Sequence, residues 1–230
     1  MATGAVTGLA SEAAIARRLG MVAAVGAGTP QGTEAAIAAL IREGVSGLVS
    51  FGIAGGLSPR LETGTLLLPP VVRSIAGDGH FVDMEWHARL RETAGAASLL
   101  VVAVGGVLGA EQIAATAEVK ERLHAETGAI AVDMESHRVA AAAERARLPF
   151  VILRAIADPA TRTLPRAALV PLTAAGHPNL LRIVASLARA PSQVSGLLQL
   201  RRDAEAALAA LERGGRALGP SLSRLEHAAG

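Results

Sequence analysis

Short apolar runs alternate with helix-patterned segments along this chain, and most runs close on a glycine or a polar residue. That arrangement admits few folds, because strands and helices each bury one side and must be layered against one another. The first run covers residues 5–7 and ends at Gly8. A helix is predicted over 11–19, with Ser11 placed to cap it. A strand over 21–25 closes at Gly26, and a helix over 33–43 carries Ala36, Ile37, Leu40 and Ile41 on one face before Gly44 stops it. A strand over 45–51 runs into Gly52-Ile53-Ala54-Gly55-Gly56. Another covers 65–72, and Pro69-Pro70 places its end near a sheet edge. Residues 73–95 lack a clear period. Further strands are predicted over 98–104, 130–132 and 150–155, and helices over 111–125, 134–147, 180–190 and 194–213. The expectation is a three-layer α/β/α sandwich with a central mixed sheet. It forms one catalytic domain over 1–213, with a loose C-terminal tail over 214–230.

Composition narrows the partners. With 230 residues, 51% of them apolar, the chain can bury a sizeable core as one domain. Three Phe, one Trp and no Tyr leave no aromatic platform for single-stranded nucleic acid. The isoelectric point of about 10.2 looks basic, yet the net charge is only +2. Lys120 is the only lysine, and Cys and Tyr are missing, so little titrates between neutral pH and the arginines. The high value reflects missing buffers rather than a basic patch, and no nucleic-acid partner is expected. No disulfide or thiolate chemistry is available. No signal peptide and no apolar stretch of membrane-spanning length is read, so a cytoplasmic protein is expected.

Three segments place polar groups just beyond a buried strand, where open α/β sheets hold their ligands. Residues 51–57 read FGIAGGL, 132–136 read VDMES, and 154–159 read RAIADP. The glycines allow a tight turn and a close approach to a ligand, although an ordinary strand-to-helix turn needs them equally. Asp133 and Glu135 flank Met134 at a helix start. The helix dipole accounts for one of these acids. An acid beside a long apolar side chain suits a sugar, with the carboxylate accepting from two hydroxyls and the wall packing on the ring. Asp158 ends an apolar strand that contains Arg154; Asp-Pro is a common turn starter, and a partly desolvated Asp is also a proton donor.

Together these segments resemble the nucleoside phosphorylase and nucleosidase family, and within it the methylthioadenosine/S-adenosylhomocysteine nucleosidases. The resemblance runs from Gly8 to about Pro159, with VDME followed by PFVILRAIAD its most specific part. The TGLASEA start, VDMESH and LRAIADP look most like the hopanoid-associated members, which act on adenosylhopane, a lipid-linked adenosine. The resemblance implies cleavage of a purine N-ribosidic bond without metal or cofactor, by a homodimer. It implies that Asp158 protonates the purine at N7, Glu135 holds the ribose hydroxyls, and Met134 packs beneath the sugar. Glu12 falls near the acid that activates water, although it follows Gly8 by one residue fewer than is usual. Asp133, Ile53, Ala54 and Gly55 would line the nucleoside site, and backbone N–H groups around Gly26 and Gly28 would face an anion or the attacking water. Ile53 replaces a serine common in relatives and Ser50 replaces an arginine of the phosphorylases, which favours water over phosphate as the acceptor. Segments 73–95 and 160–179, with Leu164, Leu169, Val170 and Leu172, are candidates to line an apolar 5′ pocket.

Other readings compete. Gly26, Gly28 and Gly32 follow a strand and precede a helix as in a dinucleotide fingerprint, but the spacing is one residue too long and Pro30 intrudes. His80, Asp83 and His87 can be read as metal ligands or as surface residues. A non-catalytic nucleoside-binding member would keep the pocket and lose the acid. The helix over 194–213 packs on the core or, alternatively, lies on an anionic membrane through its apolar face and Arg201, Arg202 and Arg213.

Overall fold

The computed structural model describes residues 1–75 and 79–225. Its strands are β1 (Gly4–Thr7), β2 (Val22–Val25), β3 (Leu48–Gly56), β4 (Leu66–Leu67), β5 (Val71–Arg73), β6 (Gly79–Phe81), β7 (Val101–Val102), β8 (Gly106–Gly109), β9 (Ala131–Asp133) and β10 (Phe150–Asp158). Its helices are α1 (Ala10–Arg18), α2 (Pro30–Arg42), α3 (Met84–Ala96), α4 (Ala117–Thr127), α5 (Ser136–Ala146), α6 (Leu180–Arg189), α7 (Val194–Leu218) and α8 (Pro220–Ser223). The strands form one mixed sheet in the order β6-β5-β8-β9-β3-β10-β4-β7, and β1 joins it at β3 and carries β2. Helices α1, α3, α7 and α8 contact one another on one face, while α2 and α5 meet on the other. The expected layered α/β architecture with a mixed central sheet is present.

The two long strands hold the core. β3 and β10 pair in parallel along most of their length, and Leu48, Val49, Phe51, Val151, Ile152 and Leu153 are fully buried. A strand covered on both faces reads as an unbroken apolar run, which is why both strands extend further than their first apolar residues suggest. The expected strand over 65–72 is divided into β4 and β5, because Pro69 and Pro70 cannot donate to a ladder. The segment without a clear period contains β6 and α3. Asp83 caps α3 by accepting from the Trp86 N–H at 2.8 Å, and Trp86 is fully buried with its indole N–H on Ser221 O at 2.7 Å.

Two expectations are corrected. Ser11 does not cap α1. The cap position is Leu9, whose side chain cannot accept a hydrogen bond, and Glu12 reaches back to take the free N–H groups instead. The tail from Gly214 is not loose as far as it is described. α7 continues to Leu218, Leu218 and Leu222 are fully buried, and the Thr3 hydroxyl donates to Leu222 O at 3.0 Å. Gly214 and Gly215 let α7 press against Leu66 and Leu19, where an added Cβ would collide. Residues 226–230 of that tail lie outside the described residues.

Candidate active site

β1 and β9 both pair with β3, but at different ends of it. β1 pairs with residues 48–50, and β9 with Gly55 and Gly56. Among the described residues, no strand lies between them on that side of β3, and the turns following β1 and β9 open onto the gap. Those turns carry Glu12 and Glu135.

Glu12 lies in the first turn of α1 and is buried. Its Oε2 accepts from the N–H groups of Gly8 at 2.9 Å and Leu9 at 2.8 Å, and its Oε1 from the Ile53 N–H at 2.8 Å. Ile53 therefore contributes its backbone at this point, which is independent of its side-chain type. Gly52 is required beside it: a Cβ there would stand 2.5 Å from Glu12 Oε1 and 2.7 Å from Arg154 Nη1.

Arg154 ties the acids together from beneath. Its side chain projects from the middle of β10 and is only 1% exposed. Nη2 donates to Ser50 Oγ at 2.7 Å and Glu135 Oε2 at 3.2 Å, Nη1 donates to Ile53 O at 3.2 Å, and Nε stands 2.9 Å from Asp133 Oδ2. Asp133 also caps α5, its Oδ1 accepting from the Ser136 N–H at 2.9 Å and the Glu135 N–H at 3.2 Å. The helix-start reading thus applies to Asp133 and leaves Glu135 with one oxygen on the guanidinium. Burial pushes the Glu135 carboxyl up to about 7; Arg154 opposes this, while Asp133 and Glu12 add to it. Burial likewise raises Glu12, against Arg154 and the three N–H donors. Three carboxyls face one guanidinium, so a single positive charge serves all of them and the charged forms of Glu12 and Glu135 are disfavoured.

Asp158 stands at the far side. The register of β10 against β3 shifts between Ile156 and Asp158, which turns the Asp158 side chain out of the ladder. Gly55 lies under it; a Cβ there would approach Asp158 Oδ2 to 3.3 Å. Burial raises the Asp158 carboxyl above its ordinary value, and Lys120 opposes that shift. Lys120, on α4, is fully buried and donates from Nζ to Asp158 Oδ2 at 2.5 Å and to the carbonyls of Pro159 and Arg162 at 3.0 Å each. One lysine thereby fastens the acid and the turn that follows it.

Glu12, Gly28, Ile53, Ala54, Gly55, Asp133, Met134, Glu135 and Asp158 all line one cavity of about 570 Å³ with mainly apolar walls. That size falls within the range of small-molecule sites. Gly26 does not line it. Its N–H donates to Thr7 O at 2.7 Å and its carbonyl accepts from Thr29, so it is a structural turn and is not available to an anion. The next two residues, Ala27 and Gly28, take positive φ values of 56° and 66° and do form part of the wall. Segment 160–179 contributes Leu164, Leu169, Val170 and Leu172. Segment 73–95 contributes no lining residue among those described, and residues 76–78 lie outside them. In that segment His80 pairs with Glu144, Asp83 caps α3, and His87 Nε2 meets Leu68 O at 2.8 Å, so the three do not converge on a metal.

Lys120 and Arg154 are the two groups whose importance sequence reasoning did not assign. Both left a signal: Lys120 is the only lysine, and Arg154 interrupts a run of buried apolar residues. Ser50 is fully buried against Arg154 and Ser136, at 2.7 and 2.8 Å, and does not line the cavity.

A gap in the sheet flanked by carboxyls, facing an acid at the end of the neighbouring strand, defines a small-molecule site built on an α/β scaffold. The sequence model of the phosphorylase superfamily matches residues 20–189, and the chain belongs to that family. No curated protein sequence matches it. Among solved structures, it is similar to the futalosine hydrolase of Helicobacter pylori, with 15% identity, a TM-score of 0.72, and coverage of 94% of this chain and 96% of that one. It is similar to the 5′-methylthioadenosine/S-adenosylhomocysteine nucleosidase of Neisseria meningitidis in complex with methylthio-immucillin-A, with 15% identity, a TM-score of 0.71, and coverage of 94% and 97%. The corresponding nucleosidase of Colwellia psychrerythraea in complex with adenine gives 16% identity, a TM-score of 0.71, and coverage of 96% and 95%. At these identities the likenesses show the fold.

Proposed function

We propose that the chain cleaves the N-ribosidic bond of a 5′-substituted adenosine with water as the acceptor, releasing adenine, and that the substrate is adenosylhopane. The observation that carries the reading is the convergence of Glu12, Glu135 and Asp158 on one apolar cavity. In this reading the C1′–N9 bond breaks and its electrons pass to the purine. Asp158 supplies a proton to N7, which neutralises the leaving base. Water adds to C1′ of the cationic sugar and passes its proton to Glu12. Glu135 accepts from the ribose hydroxyls while Met134 packs beneath the ring. General acid catalysis of this kind contributes about 100- to 10,000-fold.

Two features support water over phosphate. Ser50 is buried and bonded, and the Arg154 guanidinium is covered by carboxyls, so neither offers a cationic clamp. The large apolar 5′ group is supported by Leu164, Leu169, Val170 and Leu172 on one wall, each of which gains about 25 cal/mol per Å² of apolar surface it covers. Incubation with adenosylhopane and with methylthioadenosine, each with and without phosphate, tests all of this. The expected outcome is adenine and free ribosyl product in phosphate-free buffer, with a higher kcat/KM for adenosylhopane. Preference for methylthioadenosine removes the hopanoid reading. A 1-phosphate product formed only with phosphate makes the chain a phosphorylase.

A further inference from the structure

Residues 159–202 contain six arginines and no Asp or Glu. Two of the six are matched locally: Arg162 pairs with Asp203 at 2.8 Å and Arg201 with Glu205 at 2.8 Å. Arg166, Arg182, Arg189 and Arg202 are exposed and pair with no carboxylate among the described residues. Arg166, Arg182 and Arg189 border one open groove of about 450 Å³ between α6 and the turn at Arg166–Leu169, and no acid among the described residues lines it.

The same stretch presents apolar side chains to solvent. On α6, Leu180 is 71% exposed, Leu181 85% and Val184 63%; at the start of α7, Leu198 is 52% exposed. At 100° per residue, the α6 leucines and valine share one side of the helix, and Arg182 and Arg189 lie together on the other. The arginine side borders the groove and the apolar side faces outward, the reverse of a helix packed on its own protein. Leucines on one face and arginines on the other describe a helix lying in the plane of a bilayer surface.

We propose that α6 and the start of α7 form a docking surface for an anionic lipid bilayer, with the apolar side in the acyl boundary and the arginine groove receiving headgroup phosphates. Charge decides against a second copy of the chain on this face. A two-fold contact would set four unmatched arginines against the same four. Nucleic acid would leave the exposed leucines in water. The turn at Arg166–Leu169 connects this surface to the catalytic cavity: Arg166 and Val170 border the groove, while Ala168, Leu169 and Val170 line the cavity. A nucleoside held in a membrane by an apolar 5′ group would reach the site beneath that turn. This last link rests on the substrate reading above; the lipid contact does not.

Flotation of the full chain with vesicles tests the surface directly. Binding is expected to vesicles of phosphatidylcholine with 30 mol% phosphatidylglycerol and to weaken steeply with salt. Each arginine near such a surface strengthens binding about five-fold, so Arg182→Gln with Arg189→Gln should weaken it about 25-fold. Leu181→Ser should weaken it independently. Both variants lie outside the catalytic cavity and should release adenine from a soluble 5′-substituted adenosine at the unaltered rate, which also confirms folding. No binding to anionic vesicles at low salt overturns the proposal. So does equal binding to pure phosphatidylcholine, or dissociation of a dimer by Leu181→Ser in light scattering. Failure of adenosylhopane as a substrate, with lipid binding intact, would remove the link to the site and leave the surface standing.

Discussion

At the scale of single residues, the arrangement around Asp158 carries a consequence for pH dependence. In the proposed mechanism the Asp158 carboxyl gives a proton to the purine, and it works in its protonated form. Burial favours that form and the contact with Lys120 Nζ works against it. Removing the lysine amine should therefore raise the Asp158 carboxyl further and carry the alkaline limb of kcat to higher pH. Lys120→Met is expected to show that displacement, with a lower maximal kcat because the turn at Pro159–Arg162 loses its tether. Lys120→Arg should restore part of the profile. A limb at the wild-type position in a folded Lys120→Met protein would separate Lys120 from the acid. The stability sign is opposite to that of an ordinary ion-paired aspartate. Because the folded protein holds Asp158 above its unfolded value, the stabilisation from this group is fully present below the unfolded value and is lost as pH rises through the folded one.

At the scale of elements, the C-terminus gives the sharpest difference between sequence and structure. The small, glycine-rich residues after Gly214 read as a loose tail, yet they let α7 reach Leu66 and Leu19 and bring α8 onto α3. Ending the chain at Gly219 should remove the burial of Leu222, about 1.5–3 kcal/mol. It should also orphan the Trp86 indole N–H now on Ser221 O, about 1–3 kcal/mol. A loss of about 4 kcal/mol corresponds to a fall in Tm of roughly 8–16 °C for a domain of this size. A Tm within about 2 °C of the full chain would make these residues dispensable. What could be read in the sequence follows the same physics. Apolar runs and turn residues located the buried strands other than β8, and most helices, because burial writes itself into residue type; β6 and β8 are too short to show a pattern. β3 and β10 extend beyond their apolar runs because their last turns of chain, Ile53 to Gly55 and Ala157 to Asp158, line the cavity as well as joining the sheet. α3 was missed because its pattern is broken by charges and its start depends on the Asp83 cap. Asp133, Glu135 and Asp158 were legible from their places beyond buried strands, and Glu12 only through the family resemblance. Their partners were not, since only the folded chain brings Lys120 within 2.5 Å of Asp158 and Arg154 onto Asp133 and Glu135.

At the scale of the whole molecule, the open side of the cavity bears on assembly. Ile113 lines the cavity and is nevertheless 48% exposed, so one wall of the site is left to water in the single chain. Cleavage through a cationic sugar gains from excluding bulk water, because charge stabilisation by fixed groups is stronger in a drier site. A second copy covering Ile113 would supply that exclusion. It would also leave the arginines of α6 free, as an anionic bilayer requires. We therefore expect a dimer by light scattering at twice the 23.3 kDa chain mass. Ile113→Arg should shift it to monomer and raise KM while Asp158 and Glu135 remain in place. Anionic vesicles should still float the monomeric variant, because Ile113 does not border the arginine groove. A wild-type monomer at assay concentration, with full activity, would show that the cavity works open and that Ile113 faces only substrate.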